Sequence, residues 1–416
     1  MRGSKIALLA GSVSLTLSLL AGTEAASVVT SAAASVPPAG TLVTKVPVTA
    51  TGVNGTAYVV EYSSKAYPSN ALVIVTGLVV VPPGTPPVGG WPVVSWAHGT
   101  DGTNGKDSPS NNPATDVPEI NSMLAQGWEV VATDYVGEGN INAHLKKPKP
   151  TKGPLPYLVG ASAARNALDI VKAVQGSTTF NASSSYAVWG HSEGGQTAMF
   201  ALNIASTYAP GLDLVGVLAL APPSNFSTLL PAVEATANWP FLFLAVGGYQ
   251  AAYGKTAANV KLVLTKTGTK DLKLLKTASF GITAVTVYSQ GFSTVFTLTN
   301  GGPLPASWQT LVDQNDAANF TSPSDPPLVI VSGAQDPLVI PSTTNMLANE
   351  LCALTPVPQD LERWLYAGLD HGGIVGSDTI GDYVQWTANR FADDAAHNYT
   401  PTGSIAHPAT VTQSCG

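Results

Sequence analysis

The sequence predicts an α/β fold: a mostly parallel central sheet flanked by helices, with one large inserted subdomain. Three observations predict it. From Pro92 onward, nearly continuous apolar runs alternate with helical patterns, the signature of a parallel sheet covered on both faces. Ahead of Pro92, three strand-like runs follow one another with no helix between them. Between Pro222-Pro223 and Pro326-Pro327 the alternation stops for about a hundred aromatic-rich residues, too many for a loop. Apolar residues are 44 % of the chain and charged ones 11 %, the reverse of a disordered composition.

The elements follow in order. Leu42–Thr51, Ala57–Tyr62 and Ala71–Val81 read as consecutive antiparallel strands ending at Pro82-Pro83. Pro92–Ala97 and Trp128–Asp134 are the next strands, with Ile120–Gln126 a helix between them. Leu158–Gln175 is a helix: Leu168, Val171 and Val174 share one face, away from Arg165, Asp169 and Lys172. Tyr186–Gly190 (strand), Glu193–Tyr208 (helix) and Val215–Ala221 (strand) come next. Leu328–Ser332 and Arg363–Tyr366 are further strands around a helix at Thr343–Leu351, and Asp382–Phe391 is a late helix. The expected organisation is a core of residues 41–223 and 327–416. Residues 224–326 form a cap on the side of the sheet where ligands bind.

Chemistry concentrates at Gly190-His191-Ser192-Glu193-Gly194, a G-x-S-x-G pentapeptide. With 40 glycines in the chain the motif alone is weak. Its context is strong: a strand precedes Ser192 and a helix follows, as a nucleophile elbow requires. A serine hydroxyl needs a base. Of the six histidines, His98 and His144 precede the elbow, His191 lies within it, and His397 and His407 fall in the tail. His371, flanked by Gly368, Gly372 and Gly373 past a strand, is the expected base. Asp336, after the strand Leu328–Ser332, is the expected acid; Asp370 is its nearest rival but adjoins His371. The order Ser, Asp, His is that of α/β-hydrolases. The oxyanion needs two N–H donors. Glu193 supplies one, and Thr100 in His98-Gly99-Thr100-Asp101 supplies the other, with Asp101 the alternative. His98, Gly99, Asp101 and Tyr135 are the expected substrate-side residues.

The strings SWAHGTDG, ATDYVGEG, AVWGHSEGGQ, VSGAQDPLVIP and DHGG resemble the secretory lipase family of α/β-hydrolases, over roughly Thr41 to Phe391. The resemblance implies a Ser192–Asp336–His371 triad, a cap between core strands and carboxylic esters, often lipids, as substrates. Two further readings stand beside an esterase or lipase. One is a peptidase or acyltransferase with the same triad, Glu138 anchoring a substrate amine. The other is a non-catalytic exported binding protein.

The N-terminus reads as a secretory signal over residues 1–26, with Arg2 and Lys5 ahead of an apolar run and Thr23-Glu24-Ala25-Ala26 offering a cleavage site. A single membrane anchor is the rival, but the run is short for a span. Residues 27–40 read as a flexible leader. Without Arg2, Lys5 and Glu24 the balance is 17 Lys/Arg against 25 Asp/Glu, which argues against a nucleic-acid partner. The basic stretch Lys261 to Lys276 alternates with apolar residues and reads as the wet face of an element. Cys352 and Cys415, an even pair in an exported chain, read as one disulfide. No metal or cofactor is expected. The expected partner is an ester substrate, with transient lipid-interface contact through the cap. Trp239 to Phe243 is the candidate lipid-facing stretch, and most cap aromatics form a mini-core.

Overall fold

A computed structural model describes residues 35–104, 108–139, 153–298, 302–322, 326–356, 360–393 and 410–415. The expected signal segment, His144, His397 and His407 lie outside the described residues. The end of the expected leader is held in place: Gly40 N–H donates to the Ser63 carbonyl at 2.8 Å.

The strands are β1 (Leu42–Val48), β2 (Thr56–Lys65), β3 (Leu72–Val81), β4 (Trp91–Ala97), β5 (Glu129–Thr133), β6 (Ala182–His191), β7 (Asp213–Leu220), β8 (Leu328–Gly333), β9 (Leu361–Tyr366) and β10 (Thr410–Cys415). They form one sheet in the order β1-β2-β3-β5-β4-β6-β7-β8-β9-β10. From β5 through β9 the pairings are parallel; β1, β2, β3 and β10 are joined antiparallel at the two edges. This is the α/β-hydrolase fold.

Side chains of the central strands alternate between two cores, as the period of two demands. Val93, Val131, Val188, Val217 and Ile330 face one cluster, closed by Leu168, Met199 and Leu347 of the helices Gly160–Gln175, Glu193–Tyr208 and Pro341–Cys352. Val94, Val130, Trp189, Leu218 and Val329 face the other, closed by Met123 and Phe391 of the helices Ile120–Leu124 and Ile380–Asp393. Burial on both faces is why these strands read as unbroken apolar runs.

Between β7 and β8 the chain is helical, with the longest pieces at Phe226–Glu234, Pro240–Ala257, Phe280–Gln290 and Ala306–Gln314. These helices enclose a third apolar cluster that includes Phe226, Trp239, Phe243, Tyr249, Phe296 and Trp308. The Trp239 to Phe243 stretch divides: Trp239 and Phe243 are buried, while Phe241 and Leu242 are half-buried. Cys352 and Cys415 form a disulfide that ties the end of the Pro341–Cys352 helix to β10. β10 has no counterpart in the sequence reading, because Thr410–Cys415 is a polar edge strand with largely exposed side chains.

Candidate active site

The site assembles where the parallel strands end. Ser192 follows β6 directly and caps the Glu193–Tyr208 helix with φ 58° and ψ −119°. A non-glycine residue with positive φ is uncommon, and this ψ takes Ser192 outside the left-handed helical well, so the backbone is strained. The turn holds because its neighbours fit. A Cβ on Gly190 would lie 2.0 Å from the Gly194 carbonyl oxygen, and one on Gly194 would lie 1.8 Å from that of Ala97. Only glycine lets the helix start that close to β4 and β6. Ser192 N–H donates to the Leu220 carbonyl of β7 at 2.8 Å, fixing the elbow to the sheet.

Asp336 follows β8 and His371 follows β9. His371 Nδ1 lies 2.7 Å from Asp336 Oδ2, while Asp336 Oδ1 accepts the N–H groups of Leu338 at 2.8 Å and Val339 at 2.9 Å. The carboxylate is thus fixed before it meets the imidazole. That bond commits Nδ1 and leaves Nε2 for proton transfer. Asp370, the rival acid, instead accepts the Gly373 N–H at 2.8 Å and closes the turn after the histidine. Ser192 and His371 line one cavity of about 240 Å³, together with Gly99, Thr100, Asp101, His191, Phe241 and Leu338.

Glu193 is the first residue of its helix, so its N–H has no acceptor within that helix. Thr100 sits opposite on the loop after β4, its hydroxyl 2.8 Å from the Tyr157 hydroxyl. The Glu193 side chain is buried, and burial raises its carboxyl well above the ordinary value. Burial thus disfavours negative charge on the side chain next to Ser192.

Two residues expected on the substrate side lie beneath the loop instead. The His98 side chain is 1 % exposed; its Nδ1 is 2.9 Å from Asp101 and its Nε2 is 3.4 Å from Glu138. Burial disfavours its charge, but the two carboxylates outweigh burial and hold its pKa well above the ordinary value. Tyr135 is fully buried, stacks on His98 at 4.4 Å and donates its hydroxyl to the His98 carbonyl at 3.1 Å. Both therefore support the loop after β4 from below. Glu138 is buried against His98, with burial pushing its carboxyl up to about 7. It is not placed to anchor a substrate amine. Gly99 and Asp101 do line the cavity.

His191 and Tyr157 were missed. His191 Nε2 lies 2.8 Å from the His371 backbone carbonyl, and the two rings are 4.6 Å apart. Burial, then the neighbouring His371, lowers its pKa to about 3. A neutral His191 thus donates to the loop carrying His371. A pattern reading gives no signal for this, because the direction of a side chain just before a strained turn is not written in residue spacing. Among the described residues, no group of three or more His, Cys, Asp or Glu side chains is arranged to hold a metal ion.

Residues 112–398 match the secretory lipase family. The chain belongs to that family. This secretory lipase family member is 28 % identical over 187 residues to a secreted triacylglycerol lipase of Malassezia globosa, covering 44 % of this chain and 36 % of that protein. It is 27 % identical over 177 residues to Lipase 10 of Candida albicans, covering 39 % of this chain and 35 % of that protein. The alignment thus spans about a third of the length of the curated relatives it matches. Lipase A of Candida antarctica superposes with TM-score 0.70 at 19 % identity, over 88 % of this chain and 86 % of that one. The cell-wall-degrading esterase LipA of Xanthomonas oryzae superposes with TM-score 0.63 at 16 % identity, over 86 % of this chain and 98 % of that one. At such identities the likeness to solved structures speaks for the fold.

Proposed function

We propose that this family member is a secreted carboxylic ester hydrolase, of esterase or lipase type, working through Ser192, His371 and Asp336. One observation carries the reading: Ser192, strained at its elbow, shares a cavity with a histidine already held by a buried aspartate. Ser192 Oγ attacks the ester carbonyl while His371 Nε2 takes its proton. The tetrahedral oxyanion is met by the N–H groups of Glu193 and Thr100. His371 then returns the proton to the leaving alcohol, and water, activated by the same imidazole, releases the acid from the acyl-enzyme.

The cap supports an apolar acyl group. A second cavity of about 270 Å³ lies within it, lined by residues such as Phe226, Leu230, Val246, Tyr249, Phe296 and Trp308. Phe241 borders the catalytic cavity and Leu242, the next residue, borders this one. An acyl chain passing beside the start of the Pro240–Ala257 helix joins the two. The apolar N-terminal run behind Arg2 and Lys5, and a relative described as secreted, support export.

Turnover of p-nitrophenyl esters from acetate to stearate tests the reading. Ser192→Ala and His371→Ala each reduce it by about 10³-fold or more, with thermal unfolding unchanged. Wild-type turnover in either variant, or a wild-type enzyme that cleaves p-nitroanilides and no ester, overturns it.

A further inference from the structure

One stretch of the cap, residues 255–312, carries a charge opposite to the rest of the molecule. The whole chain has net charge −7, yet between residues 255 and 312 there are six lysines and a single acidic residue, Asp271. All six lysines are exposed, and none makes an ion pair among the described residues. Asp271 accepts a hydrogen bond from Gln290. Elsewhere the balance is 13 Lys/Arg against 25 Asp/Glu.

The same segment exposes apolar side chains. Leu262 is 45 % exposed, Ile282 59 %, Val285 70 % and Tyr288 52 %. In the Phe280–Gln290 helix, Thr283 and Val287 point inward, while Ile282 and Val285 point out. A helix that is apolar on its outer face as well is one whose outer face meets something other than water. The elements are neighbours. The Leu274–Thr277 helix packs on Phe280–Gln290, and the turn Val260–Leu262 packs on both Pro240–Ala257 and Lys266–Asp271. The patch also reaches the site: Phe280 lies 4.9 Å from Phe241, which lines the catalytic cavity.

We infer that this lysine-bordered apolar face of the cap docks on an anionic lipid–water interface. The inference deepens the ester-hydrolase reading, on which it rests for its purpose. Aliphatic and tyrosine side chains enter the headgroup boundary, and lysines around them meet anionic headgroups while their stems stay apolar. The acidic remainder of the molecule is repelled by the same surface, so the cap and the mouth beside Phe241 face the lipid.

Co-sedimentation of the full chain with vesicles of ether-linked lipids, which resist ester cleavage, tests it. Vesicles with about 30 mol % phosphatidylglycerol bind the wild type about tenfold or more tightly than pure phosphatidylcholine, and the difference collapses at high salt. Replacing Lys261, Lys266, Lys270, Lys273 and Lys276 by Gln weakens anionic-vesicle binding about tenfold or more while p-nitrophenyl acetate turnover stays at the wild-type level. Ile282→Ser with Val285→Ser weakens it through the apolar side alone. Equal binding to both vesicles, or wild-type binding by the lysine variant, overturns the inference. Anionic-vesicle binding by a wild type that turns over no soluble ester sinks the hydrolase reading and leaves the docking surface standing.

Discussion

Ser192 owes its placement to the glycines on either side of it. The Gly194 Cα faces backbone, so a methyl there would strike the carbonyl oxygens of Ala97 at 1.8 Å and His98 at 2.7 Å. Neither neighbour has a rotamer to give; β4 and the loop after it must move. Gly194→Ala is therefore expected to cost about 3 kcal/mol, at the upper end of overpacking penalties. Ester turnover should fall more than folding alone explains. Thermal unfolding and turnover of the folded fraction, measured together, check both. An alanine variant with wild-type values contradicts the close approach. Acyl transfer demands fixed residue types in a fixed order at strand ends, which is what singled out Ser192, Asp336 and His371 in the sequence; the fold sets Asp336 against His371 and puts Ser192 and His371 on one cavity. His98 and Tyr135 were misread because a glycine-rich loop beside a site shows its residue types but not which side chains turn under it.

At the scale of elements, the central strands bury polar groups as well as apolar ones. Glu129 opens β5 and is fully buried, and burial alone raises its carboxyl well above the ordinary value. The native state therefore keeps a proton that the unfolded chain releases above the unperturbed 4.5. Stability contributed by this group is lost as pH climbs from there toward the raised native value. Glu129→Gln removes that dependence. The variant should melt higher than wild type near pH 8 and no higher near pH 4.5. Melting curves at the two pH values decide it, and an unchanged difference would show that Glu129 does not titrate this way. The strands from Pro92 onward were legible because burial on both faces writes one apolar run per strand. The cap helices were not: short pieces such as Leu274–Thr277 carry little period, and Phe280–Gln290 is apolar on two sides.

For the whole molecule, the disulfide and the division of charge matter most. Cys352 and Cys415 are 63 residues apart, and the bridge sits beside Leu361, at the β9 end opposite His371. Closing a loop of that length restricts the unfolded chain by about 4 kcal/mol in the chain-entropy account. Cys352→Ser should lower unfolding stability by about 2–4 kcal/mol and leave kcat on a soluble ester unchanged. Denaturant melts and initial rates check the two halves separately. The pairing was legible from two cysteines in a chain read as exported, although the strand it secures was not. The charge reversal over residues 255–312 of the cap was half legible. Its lysines were visible, but their place among exposed Ile282, Val285 and Tyr288 needed the fold. The central claim is that one hydroxyl, Ser192 Oγ, is the activated nucleophile. Reaction with a fluorophosphonate followed by peptide mass spectrometry tests it most directly. The account predicts a single adduct on the peptide containing Ser192, abolished in His371→Ala. An unlabelled native enzyme, or an adduct on another serine, would contradict it.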